Sequence, residues 1–229
     1  MCFSATADFV GAGVVGAIGV ATLTQVRHRR EVPFAALPVL FAAHQLVESF
    51  VWLGLEGHLP RALSDVAAYG YVLYAQGVLP VLTPLAVLLI EPSRQRRLLI
   101  APFLLAGLAA GMYLFWIDLA HAIDYRILNH CIAYHVYGSL VSVFAVVYVI
   151  ATCGAALFSG YRWIVAFGVA NLVGLVVTFA LLAHSFTSVW CAYAALISSM
   201  ILMFFLRRRR AESRYPGQRP TASMTANAH

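Results

Sequence analysis

Two ionisable residues, His44 and Glu48, stand inside an apolar run, in Ala43-His44-Gln45-Leu46-Val47-Glu48. A spacing of four places both on one face of a helix. Counting about 1.5 Å per residue from Phe34 sets His44 near the middle of a membrane span and Glu48 one turn further out. A carboxylate there costs about 2.5–3.5 kcal/mol on insertion scales, so the pair is expected to face other helices and to find a partner or a proton. Three chemistries suit it: metal binding, proton relay, or a buried acid–base pair. The alternative is plain hydrogen bonding between helices, with Gln45 in the same network.

Further donors crowd the same side of the apolar segments. His44, His58, His121, His130, His135 and His184 fall in the outer half of the topology described below, as do Cys2, Cys131 and Cys191. Zinc, copper and iron prefer such donors and need three or four of them converging at roughly 2.0–2.3 Å. Cys131 and His135 have the spacing of one helix face, and His130 precedes them. If the outer ends of the second, fifth, sixth and seventh helices converge, His44, Glu48, His135 and His184 share a site. The candidate metal ligands are therefore His44, Glu48, His130, Cys131, His135 and His184. In a metal-dependent membrane enzyme, the metal would activate water and Glu48 would act as catalytic general base or orient His44.

No His-Glu-x-x-His or paired Cys-x-x-Cys motif supports that set. Noncovalent haem between facing histidines is a further option, since the Cys-x-x-Cys-His attachment motif is missing. Each donor also has a simpler role. Outer cysteines in an oxidising compartment pair as Cys131–Cys191 or Cys2–Cys131. His58 and His121 suit the membrane interface. Tyr69, Tyr71, Tyr74, Trp116, Tyr134, Tyr137, Trp190 and Tyr193 read as an aromatic belt, and Cys153 as a small buried apolar residue.

The elements that must position these groups follow from hydropathy. The 229 residues are 62% hydrophobic and 10% charged, against about 25% charged in ordinary soluble domains. Apolar runs long enough to cross about 30 Å of hydrocarbon predict seven transmembrane helices near Phe9–Leu23, Phe34–Leu55, Val66–Ile90, Leu98–Ile117, Tyr134–Phe158, Trp163–Ala183 and Val189–Leu206. Strand-length alternation of a membrane barrel is not evident. The fold class is an all-α seven-helix bundle over residues 1–206, followed at 207–229 by a basic, disordered tail. Gly13, Gly16 and Gly19, with Gly11 and Ala17, offer a close-packing surface on the first helix. Pro80, Pro84 and Pro102 predict kinks.

Arginine sets the orientation. Lysine is absent, and thirteen of the fifteen arginines (27, 29, 30, 94, 96, 97, 162, 207–210, 214 and 219) fall in loops on one side, leaving Arg61 and Arg126 opposite. Positive loops stay cytoplasmic, so the amino terminus is expected outside and the carboxyl terminus inside the cytoplasmic (inner) membrane of a bacterium. The net charge of +6 is thus topological, and nucleic acid is not an expected partner. The expected partners are the lipid bilayer and a small molecule or ion, with an oligomer left open.

At Met1-Cys2-Phe3-Ser4-Ala5 and His44-Gln45-Leu46-Val47-Glu48 the sequence resembles an uncharacterised family of bacterial multi-spanning membrane proteins. The likeness runs through the seven spans and implies no known reaction. Microbial rhodopsins share the helix count but need a lysine for the retinal Schiff base, which a chain without lysine lacks. Zinc-dependent membrane hydrolases of the alkaline ceramidase kind use paired histidines in the last helix, also missing here. Two functional classes remain: a metal-binding protein, as an enzyme or not, and a proton- or solute-coupled transporter or sensor built on His44 and Glu48. A structural subunit of a membrane complex is the third.

Overall fold

A computed structural model describes residues 4–128, 131–182, 189, 193 and 195–214. Its helices are α1 (Ala5–Leu23), α2 (Val32–Leu55), α3 (Arg61–Val72), α4 (Leu79–Ile90), α5 (Arg94–Ala120), α6 (Val141–Leu157), α7 (Arg162–Leu182) and α8 (Ser199–Arg214). Five helical stretches are long and apolar enough to cross a membrane: Ala5–Leu23, Arg29–Leu55, Arg61–Ile90, Arg94–Ala120 and Arg162–Ala180. This fits a membrane location. The seventh expected span falls partly outside the described residues.

Local chemistry fixes the helix ends. The Ser4 hydroxyl accepts from the Ala7 N–H at 3.2 Å, starting α1 one turn earlier than hydropathy suggests and drawing Asp8 into its first turn. At the far end of α2, Gly57 takes φ +79°. The Gly57 N–H then reaches the Gly54 carbonyl and the His58 N–H the Leu53 carbonyl, the paired bonds that close a helix on a left-handed residue. α1 and α2 pack tightly along small residues. A Cβ on Gly19 would lie 2.5 Å from the Val39 backbone nitrogen and one on Gly16 3.6 Å from Ala42, whereas Gly13 faces open space.

Between α3 and α4 the helix widens into a π segment, Leu73–Val78. Pro80 follows it and has no N–H to give the Gln76 carbonyl, so the ordinary ladder cannot run through this point. The stretch 61–90 nevertheless continues as one rod. Gly111 of α5 lets the two helices approach closely here, since a Cβ on it would meet the Gly77 carbonyl at 2.6 Å.

The expected fifth span, Tyr134–Phe158, is shorter than predicted. Residues Asp124–Leu128 and Cys131–His135 form antiparallel strands β1 and β2, with Tyr125 opposite Tyr134 and Asp124 opposite His135. Helix α6 starts only at Val141. The hairpin is not in a membrane barrel. Tyr125 and Ile132 pack with Val51, Trp52 and Ala68 against the ends of α2 and α3.

Several of these arginines sit in helical turns rather than in loops: Arg94, Arg96 and Arg97 open α5 and Arg162 opens α7, while Arg27 stays in the loop before α2. α8 runs through Arg207–Arg210 to Arg214, beyond the expected end of the folded chain, and residues 215–229 lie outside the described residues. Arg208 and Arg209 contact the Glu31 carboxylate at 3.0 and 2.7 Å. Glu31 also accepts from the Arg27 N–H at 2.9 Å. Nearby, Glu91 accepts from the Ser159 hydroxyl at 3.1 Å and the Gly160 N–H at 2.7 Å. Arg97 donates to the Glu91 carbonyl at 2.8 Å. At this arginine end, each of the two buried carboxylates meets charged or neutral donors.

Candidate functional site

Burial along α2 alternates as the helix turns. His44, Gln45, Glu48, Ser49 and Trp52 are buried, while Leu46 and Phe50 are exposed. The exposed residues face lipid in a membrane, so the polar ones project into the bundle. Glu48 is fully enclosed and His44 nearly so, as the spacing predicts.

Asp8 arrives opposite them from α1. It is also fully enclosed, close enough to Glu48 for each carboxyl to feel the other's charge, and it faces the Trp52 indole. The sequence reading began the first span at Phe9 and missed this residue. The usable signal was Ser4, whose capping preference moves the helix start back and carries Asp8 inside.

Aromatic rings enclose the imidazole. His44 stacks on Tyr71 with ring centroids 3.9 Å apart and planes 11° from parallel, and Tyr74 leans on it at 4.9 Å. Tyr71 stacks in turn on Tyr134 at 4.9 Å, which extends the column into the hairpin. Such offset stacks each contribute about 0.5–1.5 kcal/mol beyond area burial. Tyr71 is fully buried and belongs to this column rather than to a membrane belt. Stacking on Tyr71 occupies a ring face and leaves the ring edge. The His44 Nε2 has no hydrogen-bond partner among the described residues.

The hairpin is fastened beside this column. The Tyr125 hydroxyl donates to Asp65 at 2.5 Å and lies 3.1 Å from the Ser64 hydroxyl. The Arg61 guanidinium covers the Tyr125 ring at 5.2 Å. Burial, with the Asp65 carboxylate holding the phenolic proton, pushes the Tyr125 hydroxyl above its ordinary range.

The remaining predicted ligands are placed differently. Cys131 is disulfide-bonded, so its sulfur is not the thiolate that metals bind. Its partner lies outside the described residues, as do Cys2, His130, His184 and Cys191. Cys131 and His135 share a strand and not a helix, and four residues of strand span about 13 Å instead of one helical turn. His135 is exposed on that strand, beside Tyr134, whose ring turns to Tyr71. Among the described residues, no group of three or more His, Cys, Asp or Glu side chains could hold a metal ion. What the fold does bring together is His44 and Glu48 on one helix face, with Asp8 beside Glu48.

Residues 1–216 match the family of unknown function DUF6629. The chain belongs to that family. The DUF6629 match takes in every described helix, including α8 and its arginines. No curated protein and no solved structure matches the chain.

Proposed function

We propose that this chain is a multi-pass protein of a bacterial cytoplasmic membrane, with seven spans and the amino terminus outside, whose buried Asp8, His44 and Glu48 bind and release a proton. The observation that carries this reading is the enclosure of three ionisable side chains from two apolar helices, Asp8 beside Glu48 and His44 one turn along α2, with the imidazole stacked on Tyr71 and met by Tyr74. Two carboxyls enclosed near each other repel when both are charged, so a proton settles between them. Its arrival and departure change the force between α1 and α2 directly. That is the requirement for a proton-coupled transporter or sensor, in which a small electrostatic change selects between helix arrangements.

A transition metal (zinc, copper or iron) on His44 and Glu48 is the competing occupant, and its chemistry would make Glu48 a base. The His44 Nε2 edge favours it, because an unpartnered imidazole nitrogen is a ready ligand. Too few donors accompany it in the described residues for the three-ligand site that catalysis needs.

Trp52 beside Asp8 supplies the test. Protein in lipid nanodiscs is titrated with acid while its fluorescence is followed, and proton uptake is measured with an indicator dye after a pH jump. Wild type should take up protons with a matching fluorescence step, and Asp8→Asn and Glu48→Gln should lose that step together with the part of the uptake that accompanies it. Uptake unchanged in both variants sinks the proton reading. Stoichiometric zinc, copper or iron in wild type, lost in His44→Ala and Glu48→Gln, replaces it with the metal.

A further inference from the structure

The last turn of α5 carries a carboxyl that the cluster above does not use. Asp118 is fully enclosed, and neither of its carboxylate oxygens meets a hydrogen-bond donor among the described residues. Its depth follows from two fixed points on the antiparallel α5 and α3–α4 rods. Gly111 and Phe115 pack on Gly77. The Tyr69 hydroxyl lies 3.5 Å from the His121 carbonyl and accepts from the Ile123 N–H at 3.4 Å. Between those points Asp118 is level with Tyr71–Tyr74.

The groups that face this region are few. On α5 itself, His121 is exposed and turns its Nδ1 back to the Ile117 carbonyl at 3.1 Å. From α3 and the π segment come the phenols Tyr69, Tyr71 and Tyr74. α4 contains no titratable residue, and the first two turns of α6, Val141–Val147, contain none either. On the hairpin, Asp124 and Arg126 are exposed. Among the described residues no cation is paired with Asp118.

We infer that Asp118 is a proton-binding site in its own right, separate from Asp8, His44 and Glu48. Enclosure without donors disfavours the bare anion. A metal ion would need several oxygen ligands around it, and the neighbouring surface supplies phenols and apolar groups. Leu119 and His121, within one turn, are exposed. This assignment does not depend on the function proposed above, and it would stand if His44 carried a metal.

The chain has four aspartates, Asp8, Asp65, Asp118 and Asp124, so protein labelled at the aspartate carboxyl carbon gives a spectrum simple enough to assign. Solid-state NMR in bilayers at neutral pH should show the shift of a protonated acid for Asp118 and of carboxylate for Asp124. Asp118→Glu assigns the signal, because it removes the labelled carbon while keeping a carboxyl in place, and Asp118→Asn provides a second assignment. The Asp118 shift should be unchanged in Glu48→Gln. A carboxylate shift for Asp118, in low or high sodium or with added zinc, overturns the inference. A shift that moves with Glu48→Gln overturns its separateness.

Discussion

Replacing Glu31 by alanine leaves two guanidinium groups without the carboxylate they share. The Arg208 and Arg209 side chains are 12% and 10% exposed and the Glu31 side chain 3%, so water can replace little of what is lost. The backbone N–H groups of Arg27 and His28 lose their acceptor as well. Removing one partner from a buried ion pair costs about 3–5 kcal/mol. Both arginines retain some solvent contact, so the expected loss lies near the lower end, about 3–4 kcal/mol. At about 2–4 °C per kcal/mol for a chain of this size, the unfolding midpoint should fall by roughly 6–16 °C. The buried thiol of Cys153 gives the assay, through a dye that fluoresces on reacting with it as detergent-solubilised protein is heated at a fixed rate. Glu31→Gln should fall by less, because an amide oxygen still accepts. Glu31→Ala combined with Arg209→Met should cost less than the sum of the singles by about 0.5–3 kcal/mol. A fall under about 2 °C for Glu31→Ala, or strict additivity in the double variant, would refute the view that this contact ties α8 to the loop before α2.

Three other expectations are simpler to check. Gly19→Ala should lower thermal stability by about 1–3 kcal/mol through overpacking against Val39, while Gly13→Ala changes it little; equal effects would contradict the α1–α2 interface. Tyr125→Phe should loosen the hairpin by about 1.5–3 kcal/mol, the range for a hydrogen bond to a charged acceptor, seen as faster proteolysis between residues 121 and 140. Because the folded value of the Tyr125 phenol is raised, its contribution is complete below about pH 10 and is lost only as the pH rises through that higher value. In ultraviolet titration its phenolate should therefore appear after those of exposed tyrosines, and earlier in Asp65→Asn; simultaneous titration would count against the docking geometry. Finally, denatured, unreduced protein should fail to alkylate at Cys131 and should do so after reduction, which peptide mass spectrometry reads directly.

Sequence reasoning reached furthest where one physical force dominates. Apolar runs located α1, α2, α5 and α7 because the cost of burying polar groups in hydrocarbon outweighs local preference. The same force marked His44 and Glu48, since charge inside such a run has to turn inward. The hairpin was obscured because Ile123, Tyr125, Ile127, Ile132 and Tyr134 read as apolar whether they form a strand or open a helix. Only contact with α2 and α3 decides between the two. Tyr71 and Tyr74 were hidden for a related reason. Tyrosine suits a membrane interface as well as a buried stack, and their positions relative to His44 depend on how α3 docks. Asp8 and Asp118 lie at the ends of apolar runs, where one turn of helix separates a solvated acid from an enclosed one.

The widened turn at Leu73–Val78 has a consequence for the phase of the rod that contains it. Each residue of a helix advances about 100° around the axis, and a π turn accommodates one residue more than the regular ladder would. The rod therefore has two settings in one piece: Tyr71 and Tyr74 point at His44, while Gly77 and Pro80 meet α5. Were the same residues wound as a regular α-helix, Tyr71 would sit about 100° away from its present direction relative to α4. The column from His44 to Tyr134 would be broken with no aromatic residue lost from it. The extra residue is a phase adjuster, and it lets one end of the rod serve the buried imidazole while the other keeps its seat on the glycines of α5.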